Sequence, residues 1–394
     1  MSSFNSNISS SANTQNNIDW VELTNHIKAW GKALGFQHLG IADIDVSQHK
    51  TALNDYLAKQ YHGDMLYLER NVDKRLSPAE LHPNTCRIIS VRMDYLPPNA
   101  QFANNLANDQ LAYVSRYALG RDYHKLMRNR LKQLAEKIKQ HCQALDYRPF
   151  VDSAPVLEHA IAEKAGVGFT GKHTLTLHQE AGSWFFLGEL FVNLPLPVDK
   201  PIEEQCGACT ACISICPTQA IVAPYKLDAK RCISYLTIEH QGAIPVEFRP
   251  AMGNRVYGCD DCQLVCPWNR YAEVTQEKDF FAREFLQGAS LISLFILSEV
   301  DFLEKTQGSP IRRIGHTKWR RNLSIAMGNA KYNPDILHAL QEALNTTEDD
   351  ILVEHFGWAI EQQLAKKSSG ESGVSTRQHK RLIRIVEKGL PRDA

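Results

Sequence analysis

The chain has 394 residues, 43% of them hydrophobic, enough to bury a large core and to divide into two or three domains. Its 44 Lys and Arg balance 44 Asp and Glu, so no overall field draws the molecule onto nucleic acid or an anionic membrane, and any such surface must be local. The most apolar runs, Trp184 to Leu196 and Leu291 to Leu297, are broken by Glu189, prolines or polar residues and fall short of a bilayer span.

Residues 1–17 are rich in Ser and Asn and lack the basic start and apolar run of a secretory signal, so they read as a disordered leader on a cytoplasmic protein with no membrane segment. Trp20, Leu23, Ile27, Trp30 and Leu34 then recur at helical spacing, closed by Gly35. His38 to Ala42 and Arg87 to Asp94 read as strands, Tyr123 to Leu145 as a long helix, Phe150 and Val151 as a strand end, Ala154 to Lys164 as a helix, and Trp184 to Asn193 as a strand. Mixed in this order they predict an α/β or α+β domain over 18–197, ended by the Pro-rich stretch Leu194 to Pro201. A cysteine-rich module follows over 198–285. Beyond it, Ser290 to Leu303, Trp319 to Met327, Pro334 to Leu344 and Ile351 to Leu364 read as helices, predicting an α-helical, HEAT-like repeat domain over 286–366 and a basic tail over 367–394.

Eight of the ten cysteines lie between Cys206 and Cys266; the other two, Cys86 and Cys142, read as small neutral residues. The first block, Cys206-Gly-Ala-Cys209-Thr-Ala-Cys212-Ile-Ser-Ile-Cys216-Pro217, is the CxxCxxCxxxCP run of two-cluster ferredoxins, in which the fourth cysteine ligates the other cluster. The second, Cys259-Asp-Asp-Cys262-Gln-Leu-Val-Cys266-Pro267, is one cysteine short, and Cys232 between the blocks supplies it. The module is therefore ferredoxin-like and holds two [4Fe–4S] clusters. One takes Cys206, Cys209, Cys212 and Cys266, and the other takes Cys216, Cys232, Cys259 and Cys262. Structural zinc, which needs only CxxC pairs, does not call for this run.

Two linked clusters form a wire, and the domain before them is the candidate reaction site. Asp152 stands where a strand ends and a helix begins, a place for a catalytic group or, equally, for a helix cap shared with Ser153. Gly166, Gly168 and Gly171 fit no P-loop or dinucleotide fingerprint and read as turn residues. Lys305, Arg312, Arg313, Lys318, Arg320, Arg321 and Lys331 form a run without an acidic residue around Trp319, which suits an RNA-facing helical repeat. The tail cations Arg377, Lys380, Arg381, Arg384, Lys388 and Arg392 read as a solvated basic segment.

Tyr67-Leu68-Glu69-Arg70-Asn71 with Arg75, Ser115 to His124, Asp152 to Glu158, Gly171 to Thr174, Gly182 to Glu189 and the cysteine blocks with Arg231 to Tyr235 together resemble the epoxyqueuosine reductases, the cobalamin-dependent iron–sulfur enzymes of the last step of queuosine synthesis in tRNA. The likeness spans about residue 20 to about residue 360. It implies that 18–197 binds base-off cobalamin and that Asp152 is the proton donor. It places Arg75, Tyr117, Thr174, Thr176 and Ser234 near the cofactor, and makes tRNA carrying epoxyqueuosine the substrate. It also implies a monomer fed one electron at a time by an external flavodoxin- or ferredoxin-type donor. His173 and His178 depart from the family pattern and read as surface or hydrogen-bonded histidines. A donor at neutral pH needs a raised pKa, expected here from burial against the corrin and away from cations. The competing readings are a corrinoid reductive dehalogenase-like enzyme acting on a small substrate, and an electron-transfer subunit with no chemistry of its own.

Overall fold

The computed structural model describes residues 18–98, 101–370 and 377–389; the leader over 1–17 lies outside them. The helix Trp20–Ala33 starts where the Asp19 carboxylate accepts the backbone N–H groups of Val21 and Glu22. It buries Leu23 and Ile27, one helical turn apart, and is followed by Gly35 at φ 89°.

Four strands make the central sheet: β1 (His38–Ala42), β2 (Arg87–Asp94), β3 (Tyr147–Phe150) and β4 (Phe185–Val192), in the order β1-β2-β4-β3. Every pairing is antiparallel, so this is an α+β layer and not a doubly wound parallel sheet. All eight residues of β4 are buried, because helices cover both faces. Leu190 and Phe186 share a core with Met127 and Leu131 of the helix Tyr123–His141, while Leu187 and Phe191 share another with Ile161 of the helix Glu158–Lys164. That second helix starts at Glu158 rather than Ala154, because 151–157 turns as a loop through Asp152 and Pro155.

The cysteine module is bound to this layer by the strand Arg255–Tyr257, which pairs with Tyr113–Val114, and by the buried Asp260. Asp260 accepts from the Tyr113 hydroxyl at 2.9 Å, the Ser115 hydroxyl at 2.5 Å and the Arg116 backbone at 3.0 Å. Beside it Arg255 and Asp261 form a buried, bidentate ion pair with both N–O distances 2.8 Å.

From Leu291 onward the regular elements among the described residues are helical. The stretch Ser290 to Leu303 divides into Leu291–Phe295 and Glu299–Lys305, because Ser298 caps the second helix by accepting from the Asp301 backbone. The helix Gly315–Asn329 lies at the centre, against Asp350–Ser369, which also packs on Pro334–Thr346. The basic run does not form one surface. Trp319 and Arg321 are 0% exposed, so Trp319 is core and cannot stack on RNA, whereas Arg312, Arg313 and Lys331 are exposed. Of the tail, 367–369 end the helix Asp350–Ser369, and a separate helix spans Arg377–Gly389.

Candidate functional site

Asp152 leaves β3 in the left-handed region at φ 56°, a conformation that Asp tolerates better than most residues. Its side chain is 58% exposed, and its backbone N–H is held by Glu158 Oε1 at 2.5 Å. Asp152 therefore caps no helix. Glu158 acts backwards on Asp152, reaching from the start of its own helix.

Two neighbours at the start of the helix Tyr123–His141 converge on Asp152 Oδ2: the Tyr123 hydroxyl donates at 2.9 Å and His124 Nε2 at 3.1 Å. Asp122, the cap of that helix, holds His124 Nδ1 at 2.5 Å. Burial lowers the affinity of His124 for a proton, but hydrogen bonds to Asp122 and Asp152 outweigh it and bring its pKa up to about 9. The imidazole is thus charged at neutral pH. Burial works upward on Asp152, yet the hydrogen bonds from His124 and Tyr123 and the nearby charges of His124 and Arg313 leave its pKa below the ordinary value. The chain alone therefore does not raise this carboxyl: the loop leaves Asp152 exposed and places cations beside it.

The raised carboxyls are the ones behind it. Burial, then the charge of Asp152, pushes Glu158 up to about 7. Glu189, 0% exposed on β4, is raised further by burial and by Glu158. The register puts Glu189 opposite Ser90 on one side and Phe150, two residues before Asp152, on the other. A lone acid inside Phe185-Phe-Leu-Gly-Glu189-Leu-Phe-Val192 was the available signal for this buried pair.

Most of the other expected residues gather around the same place. Arg75 is buried, donates Nη2 to the Tyr67 carbonyl at 3.2 Å, and has Glu158 as an electrostatic neighbour; its Nε is buried without a hydrogen-bond partner. The Tyr117 hydroxyl is 3.4 Å from that of Tyr257, and Arg313 lies near both tyrosines and Asp152. Thr176 Oγ1 is 2.6 Å from His159 Nδ1, and His159 in turn senses Asp152. Thr174, at φ 73°, donates its backbone N–H to the Gly171 carbonyl in a tight turn that also buries His173. His173 Nε2 has no hydrogen-bond partner, and burial lowers the pKa of the ring to about 4. His178 is likewise buried and lowered to about 4, so neither is a surface histidine. Ser234 stands two residues past Cys232, its carbonyl accepting from Thr237 Oγ1 at 3.2 Å, and no contact joins it to Asp152 directly. The link is Tyr56, which has Tyr67, Cys232 and Tyr235 around it, while Tyr67 has Asp152.

None of the eight cysteines of the module is in a disulfide, and their neighbours fall in two groups. Burial, and then the sulfurs of Cys206, Cys212 and Cys209, pushes Cys266 up to about 12. Cys262 is raised by burial and by Cys232 and Cys216, and Cys259 has Cys262 as a neighbour. Among the described residues no three His, Cys, Asp or Glu side chains are disposed to hold a single metal ion. A tetrahedral zinc with Zn–S of about 2.3 Å needs its sulfurs close together, whereas a cubane spreads its four thiolates over four irons.

Comparison with known proteins agrees with this division. The family described as "Epoxyqueuosine reductase QueG, DUF1730" matches residues 75–153, and the "4Fe-4S double cluster binding domain" matches 205–269, so two iron–sulfur clusters belong to this module. The Vibrio cholerae epoxyqueuosine reductase is 59% identical over 96% of this chain and 100% of its own length, and that of Escherichia coli K12 is 58% identical over 96% and 99%. Among solved structures, an epoxyqueuosine reductase from Bacillus subtilis with its catalytic aspartate loop swung out of the active site superposes with TM-score 0.80 at 27% identity, covering 94% of this chain and 99% of that one. An epoxyqueuosine reductase bound to an epoxyqueuosine-modified tRNA-Tyr stem loop superposes with TM-score 0.77 at 28% identity over 94% and 99%. At 58–59% identity along almost its whole length, the chain belongs to the epoxyqueuosine reductase family.

Proposed function

We infer that the enzyme reduces epoxyqueuosine to queuosine at the wobble position of tRNA, the last step of queuosine synthesis. The near full-length likeness to named epoxyqueuosine reductases supports the reaction. The observation that carries the site is the contact of the charged His124 with the Asp152 carboxylate at 3.1 Å, beside the cysteine module.

We read the two thiol groups as the ligands of the two clusters: Cys206, Cys209, Cys212 and Cys266 for one, Cys216, Cys232, Cys259 and Cys262 for the other. Cobalamin would be held between them and Asp152 by Arg75, Tyr117, Thr174, Thr176 and Ser234; the orphaned Arg75 Nε and His173 Nε2 are buried donors or acceptors that its polar edge would satisfy. When bound, cobalamin supplies the strongly reducing centre that passes electrons to the substrate carbon. The chain supplies the proton. His124 stores it, Tyr123 and the Glu158 contact fix the carboxylate, and Asp152 passes it to the departing oxygen. Substrate and cofactor closing over Asp152 exclude water from its exposed carboxylate, which raises its affinity for the proton His124 holds.

We read the helices Pro334–Thr346 and Asp350–Ser369 as a HEAT-like pair. The exposed Arg312 and Arg313 support a tRNA-facing edge, since the charge of Arg313, which pairs with Glu239, is also felt at Asp152. No helix among the described residues is long and apolar enough to cross a membrane. We propose a cytoplasmic monomer reduced by a flavodoxin- or ferredoxin-type donor. The test is anaerobic incubation of the cluster-loaded protein with cobalamin, reductant and epoxyqueuosine-containing tRNA, followed by nucleoside mass analysis. The expected product is lighter by one oxygen, and an unchanged nucleoside mass refutes the reading. Asp152→Asn should keep clusters and cobalamin but lose most turnover.

A further inference from the structure

The helix Arg377–Gly389 is not a loose tail. Leu382 and Val386, one turn apart, are 1% and 0% exposed, and they share a core with Cys212, Ile215, Leu264 and Val265. Three elements receive the helix: Phe102–Ala107, Ala211–Ile215 and Asp261–Leu264. Two of the three each contain a cluster cysteine, Cys212 in one and Cys262 in the other. His379 Nε2 adds a 2.9 Å contact to the Leu106 carbonyl. The helix therefore lies across both cluster-bearing turns.

Its outer face is strongly basic. Arg377, Lys380, Arg381, Arg384 and Lys388 are exposed, at spacings of three, four, seven and eleven residues from Arg377, which places them on one side of a helix. The only acid among its exposed residues is Glu387. In a molecule whose charges sum to zero, this is a local cationic stripe. It adjoins the most open part of the wire. Cys209 is exposed, Gly207 has nothing within 4 Å of a would-be Cβ, and Ala211–Ile215 begins two residues after Cys209. The ligands of the other cluster, Cys216, Cys232, Cys259 and Cys262, are all only partly exposed. Electrons entering from outside thus meet the Cys206–Cys209 turn first.

We propose that the outer face of the helix Arg377–Gly389 is the docking surface for an acidic one-electron carrier protein, which reduces the cluster held by Cys206, Cys209, Cys212 and Cys266. The proposal rests on the cluster assignment above and adds the partner and its place of contact. Each encounter oxidises the carrier by one electron and reduces the cluster by one. Two encounters supply the two electrons that, with two protons, convert the epoxide to an alkene and water. An α-helix is only about 10 Å across, so a carrier seated on this face is separated from the cluster-bearing turns by one layer of packed side chains. Charge complementarity at such a site raises the rate of encounter and is sensitive to salt.

The experiment uses the full-length, cluster-loaded protein and the variant Lys380→Glu, Arg381→Glu, Arg384→Glu, with flavodoxin in its hydroquinone form as the probe. Stopped-flow bleaching of the clusters by flavodoxin should slow by about tenfold or more at low ionic strength, the lower range of electrostatic steering, and the difference should shrink as salt is added. Titration with oxidised flavodoxin should show the same weakening without any turnover. Bleaching by dithionite and the affinity for tRNA should stay as in the parent. The neutralised variant Lys380→Gln, Arg381→Gln, Arg384→Gln should fall between the two and guards against a folding effect of the reversed charges. Equal flavodoxin rates in parent and variant overturn the proposal. So does a loss of tRNA affinity with the flavodoxin rate intact, which assigns the stripe to RNA. Failure of the parent to deoxygenate the nucleoside with dithionite refutes the proposed reaction instead, and leaves the docking result readable.

Discussion

Glu158 Oε1 accepts the backbone N–H of Asp152 at 2.5 Å, so a half-buried side chain six residues downstream sets the direction in which Asp152 points. Glu158→Ala removes the acceptor and should lower kcat about tenfold while KM for tRNA changes little, since a hydrogen bond to a charged group contributes about 1.5–3 kcal/mol. Glu158→Gln retains an acceptor oxygen and should recover most of the rate. Single-turnover kinetics on an epoxyqueuosine-containing stem loop separates the two. Equal losses in both variants would mean that the negative charge matters and the loop contact does not.

The Glu158–Glu189 pair also couples folding to pH. The unfolded chain ionises Glu158 near its ordinary value of 4.5, the folded chain only near 7, so this group's stabilising contribution is present at low pH and is lost as pH rises through that interval. Glu189, raised by burial and by Glu158, contributes in the same sense, and Glu189→Gln removes that contribution. The Tm of Glu189→Gln minus that of the parent should therefore increase from about pH 5 to about pH 8. The difference is the useful quantity, because His173, His178 and His355 are lowered by burial and tilt the parent's own curve the opposite way.

His124, held at about 9 chiefly against the effect of burial by Asp122 and Asp152, gives activity an alkaline limit. Its proton and its charge pairs are fully present below its unfolded value of 6.5 and are lost as pH rises through about 9. The single-turnover rate should fall around that pH in the parent. In His124→Gln the rate should be low throughout and should lack that inflection.

Cys232 is predicted to ligate the inner cluster. Cys232→Ala should be purified with about half the iron of the parent, and its remaining cluster should be the one bound by the Cys206 to Cys212 block. Iron analysis together with the low-temperature EPR spectrum of the reduced protein is the check.

Arg321, 0% exposed, donates to the Leu236, His240 and Gly242 carbonyls, while Asn322 beside it donates to Thr237 and Val256. Arg321→Met leaves buried carbonyls unpaired, at about 1–3 kcal/mol each, and should lower the thermal midpoint and release the inner cluster at a lower temperature than in the parent.

The strands were legible because their patterns are local: Arg87–Asp94 and His38–Ala42 lie where alternation and turn residues place them, and the CxxC spacing announces its chemistry without any fold. What could not be read joins residues far apart in the chain. Glu158 meets Glu189 only where its helix packs on β4, and the field that lowers Asp152 comes from His124 and Arg313. Trp319 shows the same limit from the other side. Its basic neighbours suggested a surface, but the helix Gly315–Asn329 is enclosed, and Arg320 stacks within 5.0 Å of Phe295 and Phe356 instead of facing solvent. The tail looked like a charge run because its two deeply buried residues, Leu382 and Val386, are few among many cations.

The left-handed backbone of Asp152 narrows what evolution can place there before any proton moves. A β-branched or bulky residue at φ 56° pushes its Cβ against the neighbouring carbonyl, so of the twenty side chains only Asp, Asn and Gly enter this loop cheaply. Of these three, one is an acid. Descendants of this enzyme that lose the reaction while keeping the fold should therefore drift at this position to Asn or Gly first, leaving a readable trace of lost chemistry in the loop.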